Sequence, residues 1–287
     1  MSLDDDDGTG ATHHDRTGSS HGDVPFEPRL ALASLSGQSD ADWATAASEY
    51  AGCAFLGGIA LDEPTRDAAR ALVDRDRDEF LPDDPLAFID RQLSALADSP
   101  LRPAFNVRAS GPEPVGEAAA VCADHAAIVE VNAHCRQDEM CAAGAGESLL
   151  RDPDRLASYV RAAAETEATV SVKVRTELEG VDLPAVAARL DDAGADLLHV
   201  DAMDSEAVVA DVVDAADAFV VANNGVRDRA TVREYLDYGA DAVSLGRPSD
   251  DPRILRRVRR AVDEWFDGAE KQKSERAPNA EPRGSDT

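Results

Sequence analysis

A chain of 287 residues that is 43% hydrophobic can bury one large core, and single domains of roughly this size are common among barrels. Its charge is extreme, with 57 Asp and Glu against 29 Lys and Arg for a net −28, and only three of those cations, Lys173, Lys271 and Lys273, are lysine. No stretch approaches the roughly 20 consecutive apolar residues of a membrane span, and four cysteines without a CxxC pair make neither a disulfide scaffold nor a zinc site, so a soluble cytoplasmic protein with reduced thiols is expected.

The N-terminus, residues 1–24, opens with Asp4-Asp-Asp-Asp7 and continues in Gly, Thr, His and Ser. It carries too little apolar surface to offset the entropy of ordering. We expect it to be a disordered acidic tail, with His13 and His14 solvated rather than metal-bound. Residues 268–287, rich in Lys, Pro and Gly, are expected to be a second disordered tail, leaving 25–267 as one folded domain.

Within that domain eight short apolar runs alternate with amphipathic stretches. In order they are Leu30–Ser34, Cys53–Gly58, Ala104–Arg108, Ile128–Asn132, Val170–Val174, Leu197–Asp201, Phe219–Asn223 and Ala242–Gly246. Alternation of this kind reads as repeated βα units around a parallel sheet. Eight units favour a closed α/β barrel, the (β/α)8 TIM barrel, over an open doubly wound sheet. Helix starts are marked by Asp152-Pro153 and Asp251-Pro252, each an N-cap acceptor followed by proline in the first turn. Ser39 through Asp42 resembles a capping box with Asp in place of Glu. The span from Asp62 to Ser99 is long for one connection and is expected to hold two helices split near Pro82–Pro85.

Barrel enzymes place their chemistry on the loops that follow the strands. The strand ends here read Ser34-Leu-Ser-Gly37, Gly57-Gly58, Asn106-Val-Arg108, Asn132-Ala-His-Cys135, Lys173-Val-Arg175, His199-Val-Asp201, Asn223-Asn-Gly225 and Gly246-Arg247. Such a ring of polar groups and glycines offers donors, acceptors and open backbone where packing alone would ask for apolar side chains. Lys173 is the sole lysine before residue 271 and lies in the apolar run Val170-Ser-Val-Lys-Val174. An ammonium inside a barrel is costly unless an anion or an electron-rich ring meets it, although a salt-bridged core lysine is the plainer alternative. At the ends of the last two strands, glycine allows backbone N–H groups to approach a phosphate and Arg247 can pair with it. The long segment from Cys135 to Gly146 ends in small residues, so it is expected to move over a ligand. Cys135 at its base can donate a proton, whereas Cys53 and Cys122 read as packing.

These residues resemble the tRNA-dihydrouridine synthases, flavin barrels related to dihydroorotate dehydrogenase. The resemblance runs from about Leu30 to Phe266 and is nearest to an archaeal branch of uncharacterised barrels. Val131-Asn-Ala-His-Cys-Arg through Gly144-Ala-Gly-Glu-Ser-Leu-Leu150 follows, without gaps, the family's Asn-x-Gly-Cys-Pro…Gly-x-Gly-x-x-Leu-Leu pattern.

The resemblance implies that FMN is the cofactor, with Lys173 against the flavin ring and Asn106 where the family has a flavin-contacting Gln. It further implies that Asn223, Asn224, Gly225, Gly246 and Arg247 hold the phosphate, and that Ser34, Ser36 and Gly37 touch the ring from the first strand. Cys135 falls on the family's proton-donating cysteine and Asn132 on its substrate-site asparagine. His134, Arg175, His199 and Asp201 complete the substrate side. The implied reaction reduces the C5=C6 bond of uridine in tRNA, with NADPH or NADH as electron donor.

Departures bear on the substrate. His134 and Arg136 replace the family's Gly and Pro, Asp201 stands where a His is usual, and no helical RNA-binding domain is expected after Phe266. Strong acidity also argues against an RNA partner at ordinary ionic strength, because basic side chains supply most non-specific affinity. In a proteome adapted to high salt, which this composition matches, charges more than about 3 Å apart are screened and that objection weakens. The same chemistry on a free pyrimidine of the dihydroorotate or dihydrouracil type is one alternative. A Schiff-base lyase using Lys173 is another, and a non-catalytic barrel that keeps a phosphate pocket is a third.

Overall fold

The computed structural model describes residues 24–203 and 205–276, the last seven of these by backbone alone. All eight apolar runs form strands, and each pairs in parallel with the next. They are β1 (Leu30–Leu32), β2 (Cys53–Ala60), β3 (Arg102–Arg108), β4 (Ile128–Asn132), β5 (Thr169–Arg175), β6 (Leu197–Asp201), β7 (Phe219–Asn223) and β8 (Ala242–Leu245). β8 returns to β1 through Leu30↔Val243, Ala31↔Ser244 and Leu32↔Leu245, which closes a TIM barrel in chain order and leaves the sheet without an edge.

Alternation along each strand explains why the sheet closes with helices outside. Outward side chains such as Leu56, Val107, Val129, Val172 and Val200 join the buried faces of the helices in one large core. Inward side chains near the strand starts, among them Cys53, Phe55, Ala104, Ile128, Leu197 and Ala242, form a second, purely interior cluster. Two or four residues further along the same strands, the inward positions turn polar.

The helices are α1 (Ala41–Ala46), α2 (Glu63–Val73), α3 (Pro85–Ala95), α4 (Pro112–Asp124), α5 (Asp138–Ala142), α6 (Pro153–Ala164), α7 (Leu183–Asp191), α8 (Val208–Ala215), α9 (Arg229–Asp237) and α10 (Pro252–Arg276). Among the described residues no helix is long and apolar enough to cross a membrane. The expected pair between Asp62 and Ser99 is α2 and α3, started by Asp62 and Asp84, whose carboxylates accept from Thr65 N and Ala87 N. Asp152 caps α6 through Arg155 N, and Asp251 accepts from Arg253 N at the start of α10.

Three expectations change. α1 is capped by Asp40, whose carboxylate accepts from Trp43 N. Ser39 is diverted, because its hydroxyl accepts from Leu35 N and donates to Gly57 O, tying the β1 loop to β2. α10 continues nine residues beyond the boundary expected at 267, since 268–276 contains no proline and mostly good helix formers. The segment after Cys135 is a folded piece and not an open lid. Met140 of α5 packs with Ala68, Ala69 and Leu72 of α2, and Cys135 and Ala143 lie against that cluster. The acidic tail expected at 1–24 falls outside the described residues apart from its last residue, as does the C-terminal stretch after 276.

Candidate active site

The polar inward positions form a hydrogen-bonded chain across the barrel. Glu130, in the middle of β4 and fully buried, accepts from Asn106 Nδ2 of β3 at 2.7 Å and from Ser171 Oγ of β5 at 3.2 Å. His199 Nδ1 of β6 lies 2.7 Å from Glu130 Oε2, the oxygen that Ser171 also meets, and His199 Nε2 lies 2.7 Å from Ser244 Oγ of β8. Asn223 Nδ2 of β7 donates to Ser244 Oγ at 2.8 Å. On the opposite side Asn132 Nδ2 donates to Asn106 Oδ1 at 2.8 Å. Six strands therefore meet through side chains that would each be costly if left unpaired.

Asn132 carries this chain to the mouth. Its Oδ1 accepts the backbone N–H of Cys135 at 3.0 Å and that of His134 at 3.3 Å, so the carboxamide holds the turn that presents the thiol. From below, Glu147 N donates to Cys135 O at 2.8 Å. Gly146 makes that approach possible, because it has φ +62° and a Cβ there would overlap the Cys135 carbonyl oxygen. Cys135 is partly exposed, while Cys53 and Cys122 are buried. Burial pushes the Cys122 thiol up to about 12.

Lys173 is 2% exposed and sits in register between Asn132 and His199. Its ammonium forms no hydrogen bond or ion pair within the described residues and is offset at longer range by Glu130 and Asp201. Burial lowers its pKa, and those two carboxylates oppose the fall. Burial alone would raise the Glu130 carboxyl, but the His199 ring, the Lys173 ammonium and the Asn106 amide outweigh it and hold the group ionised. Burial and the nearby lysine lower the His199 pKa, against the pull of Glu130. At the rim, His134 Nδ1 lies 3.4 Å from Asp201 Oδ2, and Asn224 Nδ2 donates to Asp201 Oδ1 at 2.9 Å. Burial and Lys173 push His134 down to about 4, while His134, Asn224 and Lys173 hold Asp201 far below the usual carboxylate range against its own burial.

Two further cations serve the frame. Arg175, 8% exposed, pairs with Glu147 Oε2 at 2.7 Å and so locks β5 to the segment that follows Cys135. Arg108, 2% exposed, pairs with Glu79 Oε2 at 2.7 Å and donates to the Ser36 hydroxyl, with its Nε left without a partner. Glu79 belongs to the connection between α2 and α3, where Phe80 bridges to Ile59 of β2. Gly37 packs against the backbone of Asp78 and Glu79 in that connection. Gly58 leaves room for both interior side chains of β3, since a Cβ there would overlap Asn106 Oδ1 and come within 3.0 Å of Arg108 Nε.

The ends of β7 and β8 are built differently. Asn224, Gly225 and Arg247 are exposed, and the Arg247 side chain makes no hydrogen bond or ion pair among the described residues. No acceptor in the described chain takes up the backbone N–H of Gly225 or Gly246. A Cβ on Gly225 would meet nothing closer than 3.9 Å and one on Gly246 nothing closer than 4.0 Å. Open glycine backbone beside an unpaired guanidinium fits a phosphate, and the buried ammonium of Lys173 fits an electron-rich ring, so the donor set agrees with a flavin mononucleotide.

The structure thus brings Asn106, Asn132, His134, Cys135, Lys173, His199 and Asp201 to one end of the barrel, with Asn223, Asn224, Gly225, Gly246 and Arg247 beside them. Ser34 is half-buried just beyond β1. Sequence reasoning did not single out Glu130, Arg108, Glu79 or Ser244. The first had a readable signal: in Ile128-Val-Glu-Val-Asn132 the residues that share a face are Ile, Glu and Asn, so a carboxylate points where Ile128 points. Glu79 had none, because it meets Arg108 only through the path of the chain between α2 and α3.

Residues 89–281 match the family model of dihydrouridine synthase (Dus). An uncharacterised protein of Methanocaldococcus jannaschii is 26% identical over 77% of this chain and 89% of its own length. The tRNA-dihydrouridine synthase B of Xanthomonas campestris is 28% identical over 50% of this chain, a match spanning 48% of that protein. Among solved structures, DHODH of Eimeria tenella in complex with ferulenol superposes with a TM-score of 0.61 at 13% identity, covering 85% of this chain and 82% of that one. Morphinone reductase in complex with tetrahydroNAD gives 0.55 at 16%, covering 79% and 86%. The family match, over a closed parallel barrel of this kind, makes the chain a flavin-dependent TIM-barrel oxidoreductase, and it belongs to the dihydrouridine synthase family.

Proposed function

We propose that this protein uses FMN to reduce the C5=C6 bond of a uracil ring, with uridine in tRNA as the substrate and NADPH or NADH as the electron donor. One observation carries the reading: a partly exposed Cys135 is held at the barrel mouth by Asn132, in the same inward ring as the buried ammonium of Lys173. When bound, the flavin supplies the hydride chemistry. Lys173 would lie against its ring, while Gly225, Gly246 and Arg247, flanked by Asn223 and Asn224, would hold its phosphate. Ser34 completes the ring contacts from β1.

The remaining work falls to the chain's own side chains. Cys135 gives the proton that completes saturation of the ring, as a general acid positioned by its backbone. Asn132 turns its spare hydrogen-bonding capacity to the pyrimidine. His134 and Asp201 form the rim against which the base is placed, with Asp201 accepting from a ring N–H where an imidazolium would donate. His199 and Arg175 act behind the substrate, because His199 has both ring nitrogens engaged and Arg175 is tied to Glu147. Ser36, Gly37 and Asn106 likewise support the mouth through Arg108, the Glu79 connection and Glu130.

The family match and the similarity to the tRNA-dihydrouridine synthase B of Xanthomonas campestris support tRNA as substrate, and that substrate would place the protein in the cytoplasm. The purified protein should be yellow, release FMN on denaturation and bleach with NADPH or NADH. tRNA from a deletion strain should lack dihydrouridine that a plasmid copy restores. Normal dihydrouridine in that strain, together with reduction of a free pyrimidine in vitro, would move the substrate to the small molecule. A colourless protein whose Lys173 is trapped by borohydride would replace the reading with Schiff-base chemistry.

A further inference from the structure

The direction of the interior hydrogen bonds is fixed from both ends. At one end Asn132 Oδ1 faces two backbone N–H groups, which can only donate. Its Nδ2 must therefore face Asn106 Oδ1, and Asn106 is left with Nδ2 for Glu130. At the other end Asn223 Nδ2 lies 3.2 Å from the carbonyl of Ser244, which can only accept, and 2.8 Å from the Ser244 hydroxyl. That hydroxyl meets no other acceptor among the described residues, so its proton is directed at His199 Nε2 at 2.7 Å. The ring proton is then on Nδ1, directed at Glu130 at 2.7 Å. Ser171 adds a third donor.

Both arms end on one carboxylate, and an ionised carboxylate is the side chain that accepts on every side and donates on none. We propose that Glu130 is a positioning residue that, as the common acceptor of the two arms, fixes His199 in its Nδ1–H form and turns the Asn132 oxygen toward the backbone of Cys135. The hydrogen-bond pattern stands by itself; its consequence for turnover rests on the function proposed above, because Cys135 is the proton donor only in that reading. Glu130 touches no reacting atom and works through Asn106 and Asn132.

Glu130→Gln tests the assignment. A glutamine offers oxygen to one arm and nitrogen to the other, so one arm must reverse. If the nitrogen faces His199, the imidazole proton moves from Nδ1 to Nε2, which 15N chemical shifts of histidine-labelled full-length protein report. If it faces Asn106, both asparagines turn and the Cys135 amide loses its acceptor. The alkylation rate of Cys135 by iodoacetamide, resolved from Cys141 by peptide mass spectrometry, should then change about fivefold or more, the equivalent of one buried donor left unpaired. Both readouts unchanged in a folded variant would overturn the proposal, and so would an Nε2–H tautomer of His199 in the wild-type protein, a measurement that does not depend on the variant folding. In turnover, Glu130→Gln should lower kcat with little change in KM. A protein without flavin that still shows the Nδ1–H tautomer and its response would defeat the proposed function while leaving the role of Glu130 intact.

Discussion

The two sides of the barrel mouth differ in how far the protein satisfies its own polar groups. From β3 to β6 nearly every inward donor meets an acceptor of the chain, ending on Glu130, and the interior cations Arg108 and Arg175 are each paired with a carboxylate. At β7 and β8 the Gly225 and Gly246 backbone N–H groups and the Arg247 guanidinium meet no partner among the described residues. A network satisfied within the fold fixes geometry, because moving any member leaves another unpaired. Groups left open have their partner supplied from outside. Lys173, on β5, shares features of both: it is buried like the first set and, among the described residues, unpaired like the second.

Five experiments sharpen or break that contrast. Cys135→Ala should retain the yellow cofactor and lose pyrimidine reduction by about 10²- to 10⁴-fold, the usual worth of a positioned acid; unchanged single-turnover rates would remove this cysteine from the mechanism. On the satisfied side, Glu79→Ala should cost about 3–5 kcal/mol of stability, because Arg108 would remain buried without its counter-charge. Urea denaturation measures it, and a loss below about 1 kcal/mol would show the pair to be solvated.

Lys173→Met should weaken flavin retention and shift the absorption maximum while leaving thermal stability unchanged or raised, since a buried ammonium is replaced by an apolar side chain of similar length. Loss of folding with no flavin effect would make this lysine part of the frame instead. On the open side, Arg247→Ala should raise the dissociation constant for FMN about 10-fold, one charge-assisted contact, with little change in melting temperature of the flavin-free protein. Equal affinity in fluorescence titration would place the phosphate elsewhere.

The smallest expected effect concerns pH. The pKa of His134 is lower in the folded chain, at about 4, than its ordinary 6.5. The unfolded chain therefore binds more protons, and this group's contribution to stability is complete above pH 6.5 and is lost as pH falls toward 4. His134→Gln should flatten that part of the stability curve relative to wild type, and parallel curves would show that the imidazole is solvated in the folded state.

Much of this architecture can be read in the residues themselves. β4, β6 and β7 match the expected runs residue for residue, because a five-residue apolar stretch between helical segments has few other ways to be buried. β2 and β5 extend beyond expectation, since pairing with β3 and with β6 carries Ile59, Ala60 and Arg175 into the sheet. Lys173 and Cys135 stood out by composition and by their place at strand ends.

What residue order alone determined is the count of βα units, the alternation that sends apolar side chains outward, and the polar ring at the strand ends. Each depends on neighbours two to four residues apart, where periodicity is a physical signal. Only the tertiary structure decided that Glu130 gathers donors from β3, β5 and β6, that Glu79 neutralises Arg108, that His199 faces inward with no nitrogen to spare, and that the segment after Cys135 is packed on α2. Those contacts join residues tens of positions apart, and closure of the barrel, not local preference, brings them within hydrogen-bonding distance.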